Sequence, residues 1–341
     1  MNLIEGATAD EVWREAAEWI KSRQGTLHQL GRDGETIELL RTLFVIGDPT
    51  HRWVLNRRPA MNPAFALAEV IWILNGRDDS GFINYWNPRL PKYAGCGPVY
   101  YGAYGHRLRF RFGVDQIRHA FESLRAQPDS RQVVLQIWDA SSDLPIYAGQ
   151  PRSQDIPCNI CSLLKVREGW LEWTQIMRSN DLKLGWPHNI VQFTTLQEMM
   201  AAWLGLELGS YIHYSDSLHV YVNQIDELVE SPPIAVEPNT DRWELPYEET
   251  MEVIEDIGRR MDAIRNNAGN LRVIRNHGYH DYRSTAATNT LTLICADAAR
   301  RAQAIELANE LASRCTNPVL RQLWQRWHER RQREEVGADG A

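Results

Sequence analysis

Pro157-Cys158 followed, beyond a polar hairpin, by Arg178-Ser179-Asn180-Asp181-Leu182-Lys183-Leu184-Gly185-Trp186-Pro187-His188-Asn189 is the stretch that decides how this chain is read. Within a short span it offers a nucleophile, an anion binder, a carboxylate and an amide able to read the edge of a base. A thiolate is a strong, soft nucleophile only when deprotonated. A neighbouring guanidinium both lowers the thiol pKa and supplies a planar fork for phosphate. The combination suits covalent chemistry on a phosphorylated substrate, against the bland alternative that any single cysteine is a buried core residue.

Local patterns around this stretch predict a sheet followed by helices. Residues 158–166 and 170–177 read as a hairpin closed by Arg167-Glu168-Gly169, and residues 131–138, rich in Val, Leu and Ile, as a further strand. Residues 187–204 read as a helix with an apolar face and Gly205 as its stop, which puts Asn189 in the first turn. Residues 211–222 alternate like a strand and carry His213, Asp216, His219 and Tyr221. Residues 62–74 read as a helix opened by Pro63 and ended by Gly76. Glu69 inside that apolar helix lies either on an outer face, which composition alone favours, or at a polar site, because an unpaired carboxylate is costly to bury.

After Pro246 the period becomes helical through residues 248–265, 286–311 and 318–332, with residues 266–270 as a loop and the Pro-rich, acidic residues 230–243 as the best linker. The expectation is an α+β body over residues 1–230 and a mainly helical extension over residues 231–341 packed on the same domain.

At 341 residues with 43% hydrophobic side chains, the chain can bury a substantial core without staples. A formal charge of −7 argues against a general nucleic-acid binder. Arg107, Arg109 and Arg111 alternate like one solvated strand face, and residues 326–333 like a solvated helix face. Five cysteines, an odd number, and an N-terminus without leader character predict a reduced, cytoplasmic protein. No apolar run approaches membrane-spanning length. Cys158-Asn159-Ile160-Cys161 lacks the second pair a zinc site needs, so no metal is read, and strand alternation predicts that one of these thiols is catalytic and the other a core residue.

Taken together, Pro157-Cys158, Arg178-Ser179-x-Asp181, Gly185-x-Pro187-x-Asn189 and His219-x-Tyr221 resemble the thymidylate synthase family, which includes the pyrimidine nucleotide hydroxymethylases. The likeness is dense over residues 130–223, traceable over residues 32–109 and weak beyond. It implies a mixed sheet flanked by helices, with sheets packed back to back in a homodimer. It also implies addition of Cys158 to C6 of a pyrimidine nucleotide, so that C5 attacks the methylene of 5,10-methylenetetrahydrofolate.

By matching position, Arg178 and Ser179 would hold the 5′-phosphate with Arg131 from the partner subunit, and with Arg32 from the N-terminal region, where Arg23 competes. Asp181, Gly185 and Trp86 would face the folate. Asn189 can donate to O4 and accept from N3–H of uracil, which favours dUMP over dCMP or CMP. His219 and Tyr221 would hold the sugar hydroxyl. Glu69 would order water and move protons, and Tyr104, with Tyr101 as competitor, would stand near the site of proton abstraction.

Departures from the methylating members are Asn159 where histidine is usual, Met177 in place of glutamine, Gln132 where a second arginine is expected, and a C-terminal stretch, Glu335 to Ala341, unlike an apolar closing tail. A site without a dry lid lets water compete with hydride, so hydroxymethylation is preferred to methylation.

Overall fold

A computed structural model of the chain describes residues 1–145 and 149–338. Among the described residues eight strands form one sheet: β1 (Asn2–Gly6), β2 (Leu27–Gly31), β3 (Gly34–Ile46), β4 (Val134–Gln136), β5 (Asn159–Arg167), β6 (Trp170–Met177), β7 (Asn180–Asp181) and β8 (Glu207–Tyr221). The spatial order is β1-β3-β8-β6-β5-β4, with β2 on β3 and β7 on β8. β1 runs parallel to β3, and β6 and β7 run parallel to β8, while the other pairs are antiparallel. The sheet is therefore mixed and flanked by helices, as the α+β reading expected.

The β5–β6 hairpin forms as its sequence predicts. Arg167 pairs with Trp170, and the two loop residues take positive φ, 51° at Glu168 and 86° at Gly169, the handedness that matches strand twist. β4 is shorter than residues 131–138. The reason lies opposite it, where Ile160 is an extra residue in β5 and its carbonyl accepts from both Ile137 and Trp138, ending the ladder. The bulge also spoils the cysteine alternation: Cys161 stays partly exposed in step with Leu163 and Lys165 rather than entering the core.

One sheet face is buried. Phe44, Tyr211, His213, Trp173 and Leu164 on it are almost fully covered. Leu43, Val45, Ile212, Tyr214 and Ile176 on the other face remain only half-buried.

Helices α1 (Ala9–Ser22), α2 (Pro63–Leu74), α3 (Ser80–Trp86), α4 (Pro91–Ala94), α5 (Tyr104–His106), α6 (Gln116–Ala126), α7 (Ala140–Asp143) and α8 (Gly185–Leu204) flank the sheet. α2 starts as expected, with the Asn62 side chain accepting from Ala64 N and Pro63 in the first turn. α8 begins two residues earlier than expected, so Asn189 sits in the second turn, and Gly205 at φ 65° closes the helix.

Beyond them come α9 (Tyr247–Asn266), α10 (Leu271–Gly278), α11 (Thr285–Arg301), α12 (Ile305–Arg314) and α13 (Pro318–Ala338). α10 was not foreseen, and the single helix expected over residues 286–311 is broken where Gln303 turns left-handed, at φ 60°. α9, α11 and α13 all pack on α2, and one hydrophobic core runs through both parts of the chain. Residues 230–243 are a strap rather than a loose linker. Asn56 clasps Ile234 through both backbone groups at 2.7 and 3.0 Å, and Asn239 donates to Thr50 O at 2.7 Å. Among the described residues no helix is long and apolar enough to cross a membrane.

The alternating arginines are not a strand face. Residues Arg107–Arg111 form a π-helical turn, and Arg107 is fully buried, with its guanidinium forked onto Asp143 at 2.6 and 2.9 Å. Arg109 and Arg111 pair with Asp115 and Asp139. Carboxylates 6, 28 and 36 positions further along draw Arg109, Arg111 and Arg107 inward, which a strand period does not report. Arg107→Met leaves the buried Asp143 carboxylate without its counter-ion, and is expected to cost about 3–5 kcal/mol of stability. The urea midpoint measures this, and a double Arg107→Met, Asp143→Leu chain should recover most of the loss.

Candidate active site

A cavity of about 850 Å³ opens where β6 and β7 end and α8 begins, and the elements that bound it bring distant residues together. Cys158 stands one residue before β5, half-buried, and its carbonyl accepts from Arg178 N at 2.9 Å across the hairpin. The Arg178 side chain folds back beside the thiol, donating to Pro157 O at 2.9 Å and Ile156 O at 3.1 Å, over the ring of Trp138. Asp181 accepts from the amides of Lys183 and Leu184, both at 2.8 Å, which turns the chain into α8. Gly185 opens that helix in close quarters, because a Cβ there would stand 3.2 Å from Asn180 Oδ1.

Cys158, Arg178, Ser179, Asp181, Gly185, Asn189, His219, Tyr221, Glu69, Tyr104, Trp86 and Arg32 all line this one cavity. Asn189 donates to Gln192 Oε1 at 3.2 Å. Arg32 lies in the turn between β2 and β3 and donates to Tyr93 O and Gln154 O, both at 2.9 Å, whereas Arg23 caps α1 elsewhere. Tyr101 is also set apart, with its hydroxyl on Ser142 O. Arg131 is exposed in the loop of residues 127–132, outside the cavity of its own chain, and Gln132 shares that loop.

Glu69 does not lie on an outer face. It is the one residue of α2 outside the buried set, and its carboxylate meets His188 Nδ1 at 2.5 Å. Nor does Asn159 reach the cavity. It is fully buried, its Oδ1 accepting from Gln175 Nε2 at 2.5 Å while its own Nδ2 has no partner among the described residues.

The thiol runs against the expectation of an arginine-ionised nucleophile. Burial pushes the Cys158 pKa up, Arg178 and Arg32 pull it down, and Asp155 and Asp181 add to the rise. Burial wins because Arg178 spends donors on backbone carbonyls and two carboxylates stand nearby. Tyr104 is raised well above the ordinary phenol range by burial first and then by Cys158 and Asp155, which keeps its hydroxyl protonated. Burial brings His213 down to about 3, so a neutral imidazole in the interior meets Asn180, a residue of the cavity wall, at 2.8 Å.

Several lining residues were missed. Asp155 bonds Gly102 N at 2.8 Å, and a Cβ on Gly102 would meet Asp155 O at 2.8 Å. His188, between Pro187 and Asn189, also lines the cavity, and its neighbours in sequence give no sign of it. The solvated-face reading of residues 326–333 also fails, because Arg330 and Arg331 reach the cavity with Trp327, and Arg326 bonds Glu230 at 2.6 Å. From α11, Arg300 lies over Trp327, and Arg301 holds Trp86 O. Of the residues that differ from an apolar closing tail, 335–338 continue α13 and 339–341 lie outside the described residues.

Residues 51–276 match the family model described as thymidylate synthase. The chain is 34% identical over 247 residues to the deoxyuridylate hydroxymethyltransferase of Bacillus phage SP01, covering 68% of this chain and 63% of that protein. It is 34% identical over 181 residues to the deoxyuridylate hydroxymethyltransferase of Pseudomonas phage M6, covering 52% of this chain and 50% of that one. The chain thus spans less than two thirds of the length of either relative.

Proposed function

The chain belongs to the thymidylate synthase family, and from that premise we propose that it is a cytoplasmic, folate-dependent 5-hydroxymethyltransferase acting on dUMP. One observation carries the reading: a thiol, a guanidinium, two carboxylates and a base-reading amide, from elements far apart in sequence, line a single cavity. The half-buried sheet face with Leu43, Val45, Ile212 and Ile176 supports a back-to-back homodimer. In that dimer, Arg131 of the partner subunit reaches the phosphate that its own chain's cavity cannot offer it.

Each residue then has a task. Arg178, Ser179 and Arg32 bind the 5′-phosphate, and His219 and Tyr221 hold the sugar hydroxyl. Asn189 presents an amide to O4 and N3–H of uracil. Cys158 Sγ bonds to C6, so that the electron pair of C5=C6 moves toward C5 and O4. Tyr104 keeps its proton and offers a hydrogen bond close to C5.

The residues present suit 5,10-methylenetetrahydrofolate, which supplies the one-carbon unit when bound. Trp86 Nε1 is buried without a partner among the described residues, Trp86 and Trp327 give flat walls, Asp181 and Gly185 suit the pterin edge, and the arginines of α11 and α13 suit the anionic tail.

The test uses the full chain, C5-tritiated dUMP and the folate. Tritium release without growth of the dihydrofolate absorbance band is expected. A clear rise in that band makes the protein a thymidylate synthase instead, and faster release from dCMP or CMP overturns the part given to Asn189.

A further inference from the structure

The pair formed by Glu69 and His188 carries more than the water ordering that the resemblance implies for Glu69. Every residue of α2 except Glu69 is buried, so the carboxylate stands alone on an apolar helix where the helix meets the cavity. His188 reaches it from α8, with Nδ1 on Glu69 Oε2 at 2.5 Å and both side chains largely covered. The imidazole also lies 5.0 Å from the ring of Phe65, one helical turn before Glu69, so α2 grips it through both a hydrogen bond and a ring contact. The other ring nitrogen, Nε2, has no partner among the described residues and is not sealed in the interior, and His188 lines the cavity next to Asn189.

A carboxylate on one imidazole nitrogen fixes the tautomer and leaves the other nitrogen as a lone-pair acceptor, the arrangement by which a carboxylate and a histidine together make a general base. Tyr104 feels the charges of Cys158, Arg178 and Glu69, so the nucleophile and the pair both act on one phenol of the cavity wall.

We propose that His188, oriented by Glu69, accepts the proton of the water that captures the one-carbon unit, and so decides between hydroxymethyl and methyl product. The inference rests on the functional reading above. When the pyrimidine carries an exocyclic methylene at C5 and sulfur at C6, the water oxygen bonds to the methylene carbon as His188 Nε2 takes a proton. The electron pair of the exocyclic double bond moves into C5–C4–O4. It then returns to form C5=C6 while the C6–S bond breaks and Cys158 leaves as thiolate. The pyrimidine ring of the product is neutral, and the imidazolium formed is held against the Glu69 carboxylate. No oxidant or reductant is required.

Three variants and two kinds of measurement test this. In His188→Phe, hydroxymethylated product is expected to fall about 10²-fold or more, the usual scale for loss of a general base, with tritium release falling by a clearly smaller factor. His188→Gln keeps a hydrogen bond to Glu69 but takes no proton, and should fail like phenylalanine. Glu69→Gln is followed without folate, by the nitrogen-15 resonances of His188. The wild-type chain should show the Nδ1–H tautomer, and the variant a mixture. If glutamine at position 188 restores wild-type product formation, or if the tautomer ignores Glu69, His188 is only packing and the proposal is overturned. Release of no tritium by the wild-type chain sinks the functional reading, and this proposal with it. Release by the wild-type chain with product formation unchanged in both His188 variants sinks this proposal alone.

Discussion

Cys158→Ser is expected to lower tritium release from C5-labelled dUMP by roughly 10⁴-fold or more, because a hydroxyl offers neither the ionised fraction nor the soft nucleophilicity of sulfur. Binding of dUMP, measured by calorimetry, should change only a few-fold, since the phosphate and base contacts belong to other residues. The state of the thiol before substrate arrives gives this result a second readout. Burial raises the Cys158 pKa above its ordinary value of 9.0 despite Arg178. A thiol whose pKa is raised stays protonated further up the pH scale, so its reaction with iodoacetamide should be slow at neutral pH and keep climbing above pH 9. A serine chain that still releases tritium at an appreciable rate removes Cys158 from its place. A thiol alkylated rapidly at neutral pH contradicts the environment described here.

What the residues told without coordinates follows from where the information sits. The hairpin at Glu168-Gly169, the start of α2 at Asn62-Pro63 and the stop of α8 at Gly205 are each decided by φ preferences and capping groups within a few residues. The cavity residues around Cys158 were legible because their types and spacing act as a set. Arg107 looked like a surface residue since its partner Asp143 is 36 positions away. The approach of Trp327, Arg330 and Arg331 to the cavity depends on α13 crossing α2, which an amphipathic period does not encode. His188 was hidden differently. A histidine in a helix of mixed polarity is ordinary until the neighbouring helix is known to bring one carboxylate, Glu69, to the same spot. The direction of the Cys158 shift was misjudged for a related reason: proximity of arginine was readable, but how much water the fold removes was not.

Arg178→Ala is expected to lower kcat/KM for dUMP by about 10³-fold, near 4 kcal/mol at the usual 1.4 kcal/mol per decade. Two effects add. The first is loss of a charge-assisted fork for a dianion in a partly buried site. The second lies in the chain itself, because the guanidinium ties the carbonyls of Ile156 and Pro157, the two residues before the nucleophile, at 3.1 and 2.9 Å. Removing it frees the segment that aims Cys158, so kcat should fall along with the rise in KM. Arg178→Lys separates the effects. A lysine restores positive charge but not the planar geometry that holds two carbonyls and a phosphate at once, so KM should recover partly while kcat stays low. If alanine raises KM and leaves kcat untouched, Arg178 only binds phosphate and the Cys158 segment is held by the β5–β6 hairpin alone. If lysine restores both constants, charge rather than geometry is what the site requires of position 178.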